Sequence, residues 1–206
     1  MKTPLQYQIT EYDCGPTSLL NGIRYLFERE EIPPDVPKYI MLYCLDAYNS
    51  DGESGKEGTS KLAMMFLSGW LNQFQKLGKL NVYSTYLSGA RASLTPHSEI
   101  VGALQQGAAV VVRLMYGVEH YVLLTGAEKN NILMFDPYLR RRPFKEQGVE
   151  LIADRRGRFN RRVAMPILNS ETKEMYAMGV LDAREAVILY NTKTRKTPES
   201  TIEYFL

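Results

Sequence analysis

The stretch Gln8–Leu26, with the sequence QITEYDCGPTSLLNGIRYL, determines how the rest of the chain can fold around it. It places Cys14 where an irregular segment meets an amphipathic helix. Gly15 and Pro16 suit such a junction, because glycine permits a close approach and proline is pre-set for a first helical turn. The apolar residues beyond them recur at helical spacing: Leu19, Leu20, Ile23 and Leu26.

The position of Cys14 favours reactivity. A thiol at a helix N-terminus lies near the partial positive charge of aligned peptide dipoles, which stabilises thiolate over thiol. Gln8, six residues upstream, can supply a neutral amide donor, and with the backbone N–H of Cys14 it would form an oxyanion hole. The alternatives are a Cys14 that is a small buried apolar residue and a Gln8 that is simply solvated.

Length and composition indicate a globular protein. The 206 residues suffice for a sizeable core, and the hydrophobic (45%) and charged (23%) fractions are ordinary for folded proteins. We predict a single domain over residues 1–206, with a helical part at about 14–78, a sheet part at about 80–191 and a tail at about 192–206. A net charge of +2 indicates neither a nucleic-acid nor a membrane partner.

Cysteine usage and the N-terminal residues predict the compartment. The chain has only two cysteines, Cys14 and Cys44, which fits a reducing compartment. The N-terminal residues contain no apolar leader segment, and no apolar run approaches the length of a transmembrane helix. We therefore expect a cytoplasmic protein, with Cys44 in a structural role near a helix end.

The apolar patterns predict helices in the first part of the chain. Two helices are expected at about residues 16–30 and 36–45. A third is expected to start from a cap at Thr59 or Ser60 and to run to Lys76. Its inner side is predicted to carry Leu62, Met65, Phe66, Trp70 and Phe74.

The later part of the chain reads mainly as strands. A strand is expected at about residues 80–87, and a short helix is expected to open at Thr95–Pro96 and to stop at Gly107. Further strands are expected at about residues 109–115, 119–126, 131–137 and 186–190. This order predicts an α+β fold, in which an N-terminal helical layer packs on a C-terminal antiparallel sheet.

The two histidines of the chain differ in their surroundings. A thiolate nucleophile needs a base and a group that orients the base. His97 falls in the polar first turn of a predicted helix and is expected to be exposed. His120 lies in EHYVLLTG, inside an apolar strand, where an imidazole needs a partner. The alternative for His120 is a core histidine whose hydrogen bonds are satisfied.

The partner predicted for His120 is Asp136. If residues 119–136 form a hairpin whose turn centres near Glu128, His120 and Asp136 face each other on one side of the sheet. Their Cβ atoms would then be about 4.5–5.5 Å apart, within reach of a carboxylate–imidazole hydrogen bond. A turn displaced by one residue, or a β-bulge, would break this pairing. Asp136-Pro137 is also a common start of a turn.

Three motifs together resemble the C39 family of papain-like cysteine peptidases. They are Gln8-x5-Cys14 within QITEYDCGPTSLL, His120 within HYVLLTG and Asp136 within FDP. The resemblance implies a papain-like fold and four roles: Gln8 as oxyanion donor, Cys14 as nucleophile, His120 as general base and acid, and Asp136 as orienter. The residues beside these motifs that are predicted to contact substrate are Asp13, Gly15, Glu119 and Tyr121.

The resemblance also implies a reaction. It is cysteine-dependent hydrolysis of a peptide bond through an acyl-enzyme, with a peptide or protein substrate and no cofactor. The sequence resembles a stand-alone member, since its 206 residues contain no transporter domain of the kind to which many members are fused. Two alternatives stay open: a papain-like acyltransferase or deamidase with the same thiol, and a non-catalytic relative that binds peptides or anions.

Residues 138–162 are unusually basic. They hold nine Arg and Lys against three Asp and Glu, a net +6, which leaves −4 for the rest of the chain. A solvated hairpin is the favoured interpretation. The alternative is an anionic partner at the Arg140–Arg162 region, such as an acidic peptide, a phosphopantetheine group or, less expected, RNA. No spacing of Cys and His predicts a metal site.

Overall fold

Helix α1 runs over Cys14–Leu26 in a computed structural model, which describes residues 1–152 and 158–196. It begins two residues earlier than predicted, with Asp13 as the capping residue, and the Thr17 N–H donates to the Asp13 carbonyl at 3.0 Å. It also ends earlier than predicted, because Phe27 turns to an extended conformation with φ −117° and ψ 153°. Cys14 is therefore itself the first helical residue.

The remaining elements are mainly helices in the first part of the chain and mainly strands in the later part. The other α-helices are α2 (Asp35–Cys44), α3 (Lys61–Lys76), α4 (Glu99–Gln105) and α5 (Met165–Leu168). The strands are β1 (Val82–Ser88), β2 (Ala109–Tyr116), β3 (Val118–Glu128), β4 (Asn131–Phe135), β5 (Val149–Leu151), β6 (Arg161–Ala164) and β7 (Glu185–Asn191). Short 3-10 helices lie at Arg29–Glu31, Gly89–Arg91 and Leu181–Ala183.

The seven strands form one antiparallel sheet in the order β1-β7-β2-β3-β4-β6-β5. One apolar core joins α1, α2 and α3 to one face of the sheet, through residues such as Ile23, Leu67 and Leu123. A second core joins α4 to the opposite face, through residues such as Ile100 and Val122. The predicted α+β fold, with an N-terminal helical layer on an antiparallel sheet, is confirmed.

The buried face of α3 differs from the predicted one. The helix starts after Ser60, whose hydroxyl accepts from the Ala63 N–H at 3.1 Å, as expected. Its buried apolar side chains include Met64, Leu67, Leu71 and Phe74. Of the predicted inner residues Leu62, Met65 and Phe66 are exposed, by 68%, 48% and 51%. The prediction was wrong because α3 carries two neighbouring apolar stripes, and the outer one packs partly on α2 through the ring pair Tyr43–Phe66.

Helix α4 starts later than predicted. Its capping residue is Ser98, whose hydroxyl accepts from the Val101 N–H at 3.3 Å. Thr95–Pro96 forms the preceding turn instead, in which the Ser98 N–H donates to the Thr95 carbonyl. Gly107 ends the segment in a left-handed conformation, φ +83°, as the sequence predicts.

The chain after residue 138 contributes more structure than expected. The region interpreted as a solvated hairpin contains β5 and β6, and β6 pairs with β4 beside the end of that strand. The described part of the predicted tail ends at residue 196, so most of that tail lies outside the described residues. The division of a single domain into a helical part and a sheet part stays a prediction.

Candidate active site

His120 and Asp136 lie next to each other inside the protein. His120 belongs to β3, and Asp136 follows β4 directly. The Nε2 atom of His120 and the Oδ1 atom of Asp136 are 2.7 Å apart, and the two residues are exposed by only 6% and 0%. A hydrogen bond of this length between buried partners fixes the orientation of the imidazole ring.

The strand register shows how these residues meet although the predicted turn is wrong. The hairpin pairs Glu128 with Asn131, so its turn does not centre on Glu128. A β-bulge at Thr125 then shifts the register of β3 against β4. Because side chains alternate across a sheet, the two displacements together return His120 and Asp136 to one face. The residues are diagonal neighbours there, not direct opposites.

Cys14 lies near the imidazole of His120. As the first residue of α1 it is buried, with 7% exposure. The Cys14 sulfur lies near enough to the imidazole to raise the pKa of His120. Nε2 of His120 is engaged by Asp136, so Nδ1 is the ring nitrogen left to face the sulfur. The N–H groups of a first helical turn lack partners within the helix and lie at the same end. The structure thus brings Cys14, His120 and Asp136 close together, with His120 in contact with Asp136 and near Cys14.

The surroundings of His120 raise its pKa to about 9, from an ordinary value of 6.5. Burial by itself lowers the pKa, but the hydrogen bonds with Asp136 and Cys14, together with their charges, outweigh it. The imidazole therefore remains protonated through neutral pH. A buried cation of this kind stays paired with the carboxylate at its Nε2 side.

The raised pKa of His120 makes the stability of the protein depend on pH. A group whose pKa is higher in the folded state stabilises the fold fully below its unfolded pKa, here 6.5, and this contribution is lost as the pH rises through about 9. As the pH rises between these limits, we expect the free energy of unfolding of the wild type to fall by on the order of 3 kcal/mol relative to that of His120→Gln. Urea unfolding of both proteins at the two pH values measures the difference. An unchanged difference would show that His120 titrates normally.

Asp136 is held by more groups than His120. Its Oδ1 also accepts from the Tyr138 N–H at 2.8 Å, and its Oδ2 accepts from the Tyr176 hydroxyl at 2.7 Å. The side chain of Asn160 holds the backbone of Asp136 by two hydrogen bonds of 2.8 Å. The Asn160 Oδ1 atom accepts from the Asp136 N–H, and the Asn160 Nδ2 atom donates to the Asp136 carbonyl. Burial raises the pKa of Asp136, but the interactions with His120, Tyr176 and the Arg161 charge lower it by more. The pKa is therefore below its ordinary value, and Asp136 stays ionised.

Tyr176 and Asn160 are site residues that the sequence patterns did not indicate. They lie 40 and 24 positions from Asp136. Neither belongs to a motif, and β6, which brings Asn160 alongside β4, is too short to show an apolar period. They are recognised only from their hydrogen bonds with the buried Asp136.

Gln8 lies between the two halves of the site. Its backbone N–H donates to the carbonyl of Pro137, directly after Asp136, at 2.9 Å. Its side-chain Nε2 donates to the Thr10 carbonyl at 2.9 Å, which leaves the second N–H of that amide available. Among the described residues, the buried Oε1 atom has no hydrogen-bond partner. The side chain of Gln8 therefore retains both a free donor and a free acceptor.

The loop before Cys14 is organised by Asp13. This buried carboxylate accepts from the backbone N–H groups of Ile9 and Thr10, at 3.1 and 2.9 Å. The loop is thereby folded back onto the start of α1, and Gln8 is carried with it. In the structure Asp13 shapes the loop, and the contact with substrate predicted for it stays a prediction.

The other predicted substrate-contacting residues lie at different depths. Glu119 is exposed and forms an ion pair with Arg113. Tyr121 is buried, with 4% exposure, and its hydroxyl donates to the carboxylate of Glu185 at 2.7 Å. Tyr121 therefore lies beneath the helical layer, and the contact with substrate predicted for it stays a prediction. Gly15 is buried against Thr59.

Gly15 leaves no room for a side chain. A Cβ atom there would lie 2.2 Å from Oγ1 and 2.7 Å from Cβ of Thr59, and this Cβ atom cannot move without its backbone. We expect Gly15→Ala to lower the free energy of unfolding by about 1–3 kcal/mol through overpacking. Gly69→Ala is the matched control, since Gly69 is an exposed residue within α3 with nothing within 4 Å of the added Cβ. It is expected to be stabilising by up to about 1 kcal/mol.

Chemical denaturation of the two glycine variants checks this difference. Equal stability of both variants would mean that the loop carrying Thr59 withdraws from α1 at little cost. Because Cys14 adjoins Gly15, the rate of Cys14 alkylation in the Gly15 variant then reports whether the start of the helix moves as well.

Several basic residues of the 138–162 region are engaged by other groups of the protein. Arg161 is buried, Arg162 pairs with Glu150 and Glu128, and Arg140 packs over the ring of Phe144. Arg155 and Arg156 lie outside the described residues. These contacts do not support an anionic partner at the Arg140–Arg162 region, which stays a prediction.

Two further properties concern only residues 1–152 and 158–196. Within them no helix is long and apolar enough to cross a membrane. The same residues include no group of three or more His, Cys, Asp or Glu placed to hold a metal ion. His97 is exposed, as predicted.

Comparison with known proteins supports the resemblance seen in the motifs. No curated protein matches the chain. The sequence does match the Peptidase_C39 like family, over residues 1–161, a stretch that contains Gln8, Cys14, His120 and Asp136. By this match over most of its length, the chain belongs to the Peptidase_C39 like family.

Proposed function

We propose that this protein is a cysteine peptidase that hydrolyses peptide bonds through an acyl-enzyme on Cys14. Membership of a peptidase-like family suggests this type of activity. The single observation that carries the proposal is the row formed by the Cys14 sulfur, the His120 imidazole and the Asp136 carboxylate. A nucleophile, a base within hydrogen-bonding reach and a group that orients the base are what thiol catalysis requires.

In the proposed reaction the Cys14 thiolate attacks the carbonyl carbon of the scissile amide. The resulting tetrahedral oxyanion accepts hydrogen bonds from the backbone N–H of Cys14 and from the free side-chain N–H of Gln8. Protonated His120 gives its proton from Nδ1 to the leaving nitrogen, the C–N bond breaks, and an amine departs. A thioester between Cys14 and the acyl part of the substrate remains.

Water completes the cycle. Neutral His120 takes a proton from a water molecule, whose oxygen attacks the thioester carbonyl. The C–S bond breaks, and the products are a carboxylic acid and the regenerated pair of thiolate and imidazolium. Asp136 keeps the ring in one orientation through both steps, since its hydrogen bond occupies Nε2 and leaves Nδ1 for the chemistry.

The partners of Asp136 support this division of roles. A carboxylate with a lowered pKa, held by backbone and side-chain donors, does not take the proton from His120. The pKa of His120 near 9 keeps its proton available for the leaving amine at neutral pH. Donors of the kind assigned to Gln8 contribute about 3–4 kcal/mol to lowering the barrier.

Isotope labelling tests the proposal and separates hydrolysis from acyl transfer. The protein is incubated with a library of peptides in water enriched in oxygen-18, and products are identified by mass spectrometry. Hydrolysis through an acyl-enzyme is expected to place one heavy oxygen in each new C-terminal carboxylate. A thioester on the Cys14-containing peptide is expected after rapid acid quenching.

Other products would replace this proposal. New amide bonds to added amines, without heavy oxygen, would identify an acyltransferase. Conversion of glutamine or asparagine side chains to acids, with intact backbones, would identify a deamidase. Binding of peptides with no product and no thioester would identify a non-catalytic relative.

A further inference from the structure

We propose that Tyr176 is a positioning residue for the catalytic row, supplied by the part of the chain that follows the family match. This inference rests on the proposed function. The match ends at residue 161, and Tyr176 lies beyond it, between α5 and β7. Its hydroxyl donates to Oδ2 of Asp136, the carboxylate that orients His120.

The two oxygens of Asp136 are held from different sides. Oδ1 accepts from the Tyr138 N–H at 2.8 Å and contacts Nε2 of His120 at 2.7 Å. Among the described residues, the only hydrogen-bond partner of Oδ2 is the Tyr176 hydroxyl, also at 2.7 Å. Because Asp136 is fully buried, water does not replace a missing donor at Oδ2. The hydroxyl therefore fixes the rotation of the carboxylate about its last bond.

A buried arginine fixes the Tyr176 hydroxyl in turn. The Nε atom of Arg161 donates to that oxygen at 3.2 Å, and its other nitrogens donate to the carbonyls of Asn160 and Tyr138 at 3.0 and 3.2 Å. Arg161 is 1% exposed, and the hydroxyl accepts from it while donating to Asp136. A chain of hydrogen bonds thus runs from a buried cation to the imidazole.

The backbone of Tyr176 shows that this position is enforced. Its φ of 65° lies in the left-handed region, which bulky side chains rarely adopt. Two backbone hydrogen bonds to β2 keep it there: Tyr176 N–H to the Met115 carbonyl at 2.6 Å, and Met115 N–H to the Ala177 carbonyl at 2.9 Å. Its ring, fully buried, packs between Tyr116 and Phe144. These contacts hold Tyr176 in a backbone conformation that is unfavourable by itself.

Loss of the hydroxyl has a defined electrostatic consequence. The titratable and charged groups that face Asp136 are His120 from β3, Arg161 from β6 and Tyr176 itself. The hydrogen bond from Tyr176 lowers the pKa of Asp136, so removing it raises that pKa. The carboxylate then takes up a proton at a higher pH, and its hold on His120 weakens there.

The test uses Tyr176→Phe, which keeps the ring and removes the donor. The imidazole carbon-bound proton of His120 is followed by NMR from about pH 8 down to acid unfolding, and His97→Asn assigns the only other histidine. We expect the acid inflection of His120, which reports protonation of Asp136, to move up by about 1 pH unit. For a cleaved peptide we expect kcat to fall about 10-fold with KM changed less than about twofold.

Tyr190→Phe is the control, since it removes the hydroxyl of another buried tyrosine, one on β7 that packs on Tyr83 instead of the site. It is expected to change neither the inflection nor kcat. If Tyr176→Phe does not fold, 3-fluorotyrosine introduced at position 176 strengthens the donor and is expected to move the inflection to lower pH. An inflection and a kcat equal to those of the wild type would overturn the proposal.

The two proposals fail in different ways. The NMR titration uses the resting protein and needs no substrate. A shifted inflection in a protein without hydrolytic activity would overturn the proposed function and keep Tyr176 as the group that positions Asp136. Hydrolysis that is lost in Cys14→Ala but has an unchanged kcat in Tyr176→Phe would support the proposed function and exclude the positioning role of Tyr176.

Discussion

Replacement of Cys14 by alanine is expected to lower kcat/KM at least about 10⁴-fold for every peptide that the protein cleaves. The loss is this large because no other group in the row can form the thioester, while the oxyanion donors alone accelerate the reaction only weakly. Cys14→Ala removes only the sulfur atom from the start of α1, so the fold is expected to persist. Product formation is measured by mass spectrometry, and the fold by circular dichroism.

The second cysteine provides the matched control. Cys44 is fully buried at the end of α2, and burial raises the pKa of its thiol, so it does not react near neutral pH. Cys44→Ala is expected to keep kcat/KM within about threefold of the wild type, with some loss of stability. Labelling with iodoacetamide is expected to modify Cys14 alone. Cleavage that survives Cys14→Ala, or that disappears only in Cys44→Ala, would place the nucleophile elsewhere.

The fold class could be predicted because apolar period and order along the chain reflect burial directly. Strands such as β2 and β7 are buried over most of their length and appear in the sequence as short apolar runs. Helix bounds and faces were less predictable. In α3 two apolar stripes lie side by side, and only the tertiary packing selects the one formed by Met64, Leu67 and Leu71.

The candidate site was predictable to the extent that chemistry restricts the choices. With two cysteines and two histidines, the combination of Cys14 with His120 could be inferred from helix and strand context. The pairing of His120 with Asp136 was inferred from a turn centre that the structure does not have. The bulge at Thr125 returns the two side chains to the same face of the sheet, and no residue pattern predicts a bulge of this kind.

The supporting groups could not be predicted for a physical reason. Asn160 and Tyr176 act on Asp136 through one or two hydrogen bonds between segments distant in sequence, and such contacts leave no period or spacing. Tyr121 shows that closeness in sequence does not by itself give the direction of a side chain. It neighbours His120 in sequence, but alternation along β3 directs it to the opposite face, against the helical layer.

Replacement of His120 by glutamine is expected to lower kcat/KM about 10³–10⁴-fold. Glutamine can keep a hydrogen bond to Asp136 but cannot carry the proton to the leaving amine. The loss is expected to be greatest below about pH 9, where wild-type His120 is protonated. Above that pH the wild type loses its own acid, so its kcat/KM falls and the difference between the two proteins narrows. The measurement is a pH profile of kcat/KM for both proteins.

His97 supplies the control for this second experiment, because it is exposed in the turn before α4. His97→Gln is expected to leave the profile unchanged. The rate of Cys14 alkylation separates the two duties of His120, since alkylation needs a thiolate but no proton donor. In His120→Gln that rate is expected to drop about 10-fold near pH 7, because the cation beside the sulfur is gone. An alkylation rate equal to that of the wild type would mean that the helix terminus alone activates Cys14, and His120 would then serve only the leaving group.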